Sequence, residues 1–195
     1  MKTSVVLGLA LLSLAACRKE EKIEPKAASA KSNAVATANQ DTIPDKAAFR
    51  IELYKDSINH DETMIQFDHA AGLVYSPDRD GLYFPGFGQL SLATISNDNR
   101  DLAIYSLPYT QNMAVGLDVE AKSDGAYALK MSYQRQLPPN TQVWLKDLYL
   151  KDSTNMCSKN YNFSVVKADG NSFGSKRFKV IIKEVTGQQQ TAVPN

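Results

Sequence analysis

Beyond residue 47, apolar and polar positions alternate through most of the chain. Phe49, Ile51 and Leu53 alternate with Arg50, Glu52 and Tyr54. The same period of two runs through Ile65 and Phe67, and then through Leu102 and Ile104, which lead into Tyr105 before Pro108 ends the run. It continues in Val115, Leu117 and Val119, in Tyr127, Leu129, Met131 and Tyr133, and in Val143 and Leu145. Tyr161, Phe163 and Val165 follow, then Phe178, Val180 and Ile182. A period of two with one apolar face marks half-buried antiparallel strands. Turn-forming clusters separate them: Asn97-Asp98-Asn99, Ser123-Asp124-Gly125, Pro138-Pro139-Asn140 and Ala168-Asp169-Gly170-Asn171. The pattern predicts an all-β domain over residues 47–186, an antiparallel two-sheet β-sandwich of about eight strands.

The N-terminus follows a different rule. Lys2 supplies a positive charge, and an apolar run follows from Val5 to Leu14. That run is too short for a bilayer, which needs about 20 apolar residues, but has the length of a signal-peptide core. Leu14-Ala15-Ala16-Cys17 then resembles the bacterial lipobox. Residues 1–16 are therefore expected to be a lipoprotein signal peptide, and Cys17 the lipidation site. Each buried CH₂ of an acyl chain contributes about 0.8 kcal/mol, so a diacylglyceryl Cys17 would anchor the protein to a membrane. Arg18-Lys19-Glu20-Glu21 looks like the export signal that carries Bacteroidota lipoproteins to the outer face of the outer membrane. Residues 17–46 lack aromatic residues and read as a tether, and residues 187–195 as a disordered tail.

A net charge of +1 gives no electrostatic case for nucleic acid. With Cys17 lipidated, Cys157 is left as the one thiol of the domain, with no partner for an internal disulfide. It is expected to behave as a small buried apolar residue.

In this order of strands the domain resembles the β-sandwich modules near the C-termini of Bacteroidota proteins exported by the type IX system. The resemblance rests on Asp61-Glu62-Thr63 before Ile65-Gln66-Phe67, the loop Asp78-Arg79-Asp80-Gly81, and Leu102 through Pro108. It continues in Asp124-Gly125-Ala126-Tyr127, Leu145-Lys146-Asp147, Tyr161-Asn162-Phe163 and Arg177-Phe178. It implies a fold and an envelope location, and no catalytic residues.

Candidate chemistry gathers in the segment Tyr75–Phe87. Tyr75, Tyr83, Phe84 and Phe87 could stack on a sugar or fold the segment onto the sheet edge. Asp78 and Asp80, two apart and followed by Gly81, resemble the start of a calcium loop, although Gln89 stands where its bidentate Glu would be. Trp144 points away from Val143 and Leu145 and is a further candidate platform. His60 and His69 lack metal-ligand spacing. No nucleophile triad, phosphate loop or zinc signature is present. The expected function is a lipid-anchored, non-enzymatic binding or structural module at the bacterial surface, with a glycan or envelope protein as partner and no cofactor beyond a candidate calcium ion. The alternative is a polysaccharide hydrolase working through a carboxylate pair. A cleft holding two carboxylates, one with a raised pKa, would favour it.

Overall fold

The structure, a computed structural model, describes residues 46–110 and 112–184. The signal segment, Cys17, the tether up to residue 45 and the tail lie outside them. The described residues form strands and turns, with no helix. The strands are β1 (Ala48–Tyr54), β2 (His60–Phe67), β3 (Gly81–Leu82), β4 (Leu90–Ile95), β5 (Asp101–Leu107) and β6 (Met113–Ala121). Then come β7 (Gly125–Arg135), β8 (Thr141–Asp147), β9 (Asp152–Asn155), β10 (Tyr161–Val165) and β11 (Phe178–Glu184).

The all-β expectation holds, while the strand count and layering differ from it. Eleven strands form one sheet in the order β10-β7-β1-β2-β5-β4-β6-β11-β8-β9, with β3 attached to β5. All neighbours are antiparallel except β2 and β5. These two run parallel, with Met64 opposite Ile104 and Phe67 opposite Leu107. That pairing joins two antiparallel halves into one mixed sheet. Where β2 and β4 both approach β5, side chains complete the ladder. The buried hydroxyls of Thr63 and Thr94 each donate to the Leu102 carbonyl at 3.0 Å.

The sheet curls until its ends nearly meet, giving a shape close to a barrel. Alternation supplies the inner face: Phe49, Ile51, Leu53, Ile65, Phe67, Leu92, Leu117, Leu129, Leu145 and Val180 are all buried. At the seam, Phe163 of β10 packs edge-on against Phe178 of β11, their ring centroids 4.9 Å apart. Tyr161 donates its hydroxyl to Asp147 Oδ2 of β8 at 3.1 Å. Arg177, 1% exposed at its side chain, donates to the same oxygen through Nη2 at 2.8 Å and Nε at 3.1 Å. Its Nη1 reaches across to the carbonyl of Ser164 in β10 at 2.9 Å, and also to that of Ser172. The rings of Phe178, Phe163 and Tyr149 lie 4.7, 4.8 and 5.1 Å from the guanidinium carbon. Burial alone would raise the Asp147 pKa. The bond from Arg177, the Leu150 amide and the Arg177 charge outweigh burial and hold the carboxyl below its ordinary value. The seam therefore closes through a charge-assisted network in place of a backbone ladder.

Both described ends of the chain lie at one pole. The Lys46 amide bonds the Phe67 carbonyl, Phe67 packs edge-on against Tyr109 at 5.5 Å, and the Tyr109 hydroxyl reaches Glu184. At the other pole, Lys55 after β1 donates to Ser123 Oγ in the β6–β7 turn at 2.7 Å. Gly125 leaves that turn with φ of 137°, a conformation open to glycine. Ala121 lies opposite Leu90, so the loop entering β4 joins the same pole.

Candidate functional site

The aromatic segment divides into a pinned half and a projecting half. Tyr75 packs against the core, and its amide donates to Asp98 Oδ1 at 2.9 Å. Asp80 is a structural tie: Oδ2 accepts the Ser76 amide and Oδ1 the Ser106 amide, each at 2.7 Å. Ser106 Oγ donates back to the Arg79 carbonyl at 2.6 Å. Asp78 is exposed, and no group of three metal-capable side chains occurs among the described residues. Tyr83 closes the pinned half. Its amide bonds the Asp101 carbonyl and its hydroxyl donates to Asp61, whose Oδ2 also accepts the Leu92 amide at 2.9 Å. Burial, reinforced by the Asp61 carboxylate, pushes the Tyr83 phenol up to about 12.

Immediately after Tyr83 the chain leaves the sheet. Phe84 is 80% exposed and Phe87 fully so. Burying a Phe side chain contributes about 1.5–3 kcal/mol, so two exposed rings three residues apart forgo a large stabilisation. The loop that carries them walls a cleft of about 370 Å³ through Pro85, Gly86 and Gly88, with Gln89, Glu120, Lys122 and Lys167 completing the walls; neither ring is part of the lining. Its floor is the β4–β6 ladder, Leu90 opposite Ala121 and Ser91 opposite Glu120. Lys122 Nζ lies 3.4 Å from the Phe87 carbonyl, and Lys167 Nζ sits 3.5 Å over the ring of Phe173. None of these wall residues stands out in the sequence. Glu120 and Lys122 flank the end of one strand, Lys167 belongs to a distant loop, and only pairing brings them together.

The other candidates lie elsewhere. Trp144 is half-buried on β8, opposite Ile181 of β11, and donates Nε1 to Gln142 at 2.9 Å. Two strands, β11 and β6, separate β8 from β4, which the projecting loop enters. His60 lines a second, polar cleft of about 490 Å³ with Glu52, Tyr54 and Lys130, where Lys130 pairs with Glu52 at 2.7 Å. Cys157 is half-buried against the core, less enclosed than expected.

One carboxyl has the character of a general acid. Burial, then the charges of Glu120 and Asp101, raise Asp118 to about 6, and its Oδ1 is enclosed without a hydrogen-bond partner among the described residues. Asp118 is absent from the walls of the 370 Å³ cleft, where Glu120 is the one carboxylate. The paired carboxylates of a glycosidase are thus not assembled in that cleft. Searches of protein-family models, of curated proteins and of solved structures find nothing that matches this chain.

Proposed function

We propose that this chain is a lipid-anchored bacterial surface module that binds a ligand, without catalysis, through the loop pole. The observation that carries the reading is the pair of exposed rings, Phe84 and Phe87, on the loop whose neighbouring residues wall a cleft. Large apolar rings held in water on a loop whose base is fixed are what a recognition surface supplies and what a stable core would avoid. The opposite pole supports the same reading. The chain enters there at Lys46, so a tether from Cys17 joins the domain at the pole opposite the loops and leaves them clear of its attachment point. In this reading the curled sheet serves as a sandwich, with β10-β7-β1-β2 laid over β6-β11-β8. A glycan or an envelope protein fits the surface.

The test is the double variant Phe84→Ala/Phe87→Ala. Its unfolding free energy should stay within about 0.5 kcal/mol of the parent, because exposed side chains contribute little to stability. Retention on envelope glycans and envelope proteins should be lost. A loss of several kcal/mol with retention unchanged would place both rings in the structural framework and end the binding reading.

A further inference from the structure

We infer that the loop-pole cleft takes an anionic sugar. The inference rests on the binding reading above and narrows it to a ligand class. Its first support is charge. Two ammonium groups, Lys122 and Lys167, line the cleft against one carboxylate, Glu120. Among the described residues neither lysine takes part in an ion pair, as is true of most cations of this fold. Lys122 Nζ has only a long contact to the Phe87 carbonyl, and Lys167 Nζ rests on an aromatic ring. Both ammoniums can therefore turn to an incoming carboxylate or sulfate without breaking an ion pair of the fold, and such charge-assisted bonds are the stronger kind.

The second support is shape. The Phe87 ring is fully exposed on the loop that walls the cleft through Gly86 and Gly88, and such a ring can stack on the C–H face of a pyranose. Gly86 has open space where a side chain would begin, so a sugar ring can approach the loop backbone. Gln89 and Glu120 add a donor and acceptors for hydroxyls. The volume, about 370 Å³, falls at the small end of ligand sites, on the scale of a short stretch of glycan.

The third support is the floor itself. The floor residues are already paired, Leu90 with Ala121 and Ser91 with Glu120. Between β4 and β6 the floor backbone is committed to this ladder, so the groups that face the cleft for recognition are side chains.

The experiment is a calorimetric titration of the full-length lipidated protein in detergent. The probes are uronic-acid and sulfated oligosaccharides, their neutral counterparts, and an oligoglutamate peptide. Acidic sugars should bind, and reducing their carboxylates to alcohols should weaken binding about tenfold or more. Lys122→Gln/Lys167→Gln should weaken it to a similar degree, and Phe87→Ala should as well. Neutral sugars bound equally, insensitive to the lysine variants yet lost in Phe87→Ala, would overturn the anionic assignment and leave the binding reading standing. Binding of oligoglutamate alone would replace the sugar with an acidic peptide. If no probe binds and Phe84→Ala/Phe87→Ala also retains every envelope ligand, the inference and the binding reading fall together.

Discussion

At the scale of single residues, Arg177 cannot be shortened without leaving Asp147 charged, buried and short of its main partner. Removing one member of a buried pair typically costs about 3–5 kcal/mol. Arg177→Ala should therefore lower the unfolding free energy by that amount in urea, and Arg177→Met/Asp147→Leu should recover part of it. The pH dependence has a definite sign. The folded Asp147 pKa lies below its ordinary 3.8, so its contribution is present above that value and fades as pH falls through the folded pKa. Asp118 works in the opposite sense. Raised from 3.8 to about 6, it holds a proton in the folded state that the unfolded chain releases, so stability declines as pH rises through that interval. Because the carboxyl is partly in solvent, the loss should be well below the full shift, about 1–2 kcal/mol by pH 7. Asp118→Asn should then match the parent at pH 3 and exceed it at pH 8, and equal midpoints at both pH values would refute this account. Neither role was legible in the sequence. Asp147, Tyr161 and Arg177 were visible only as separate short motifs, and the curl of the sheet is what turns them into one network.

Among elements, legibility followed burial. Strands with one wet face kept their alternation, which is why β1, β2, β6, β8, β10 and β11 could be read. In β4, Leu92, Ala93 and Thr94 are all buried, and three covered positions in a row erase the period. β9 reads Asp-Ser-Thr-Asn and owes its conformation to pairing with β8. The parallel contact of β2 with β5 has no local signal, because it depends on residues about 40 apart. Thr63 and Thr94 hold that junction through one carbonyl. Thr63→Val/Thr94→Val keeps the shape and removes both donors, leaving the buried Leu102 oxygen bare of them. A cost of about 1–3 kcal/mol is expected from chemical denaturation. A neutral effect would mean that the junction rests on packing alone. The aromatic segment shows the same limit on local reading. Its four rings are alike in sequence, yet Tyr75 and Tyr83 are fixed by Asp98 and Asp61, while Phe84 and Phe87 meet no such partner.

For the molecule as a whole, the anchor and the fold should separate cleanly. Cys17→Ala should move the protein from the membrane to the soluble fraction while its far-UV circular dichroism keeps the same β signature. Continued partition with membranes at the parental level would refute the lipobox reading. The placement of Lys46 and Glu184 at one pole has a consequence beyond a single copy. A unit whose entrance and exit share a side joins others as beads hung from a cord, and cannot extend end to end as links in a rod. However many such units a longer polypeptide strung together, every set of loops would hang toward the same side, and adding a unit would multiply contacts without lengthening the reach.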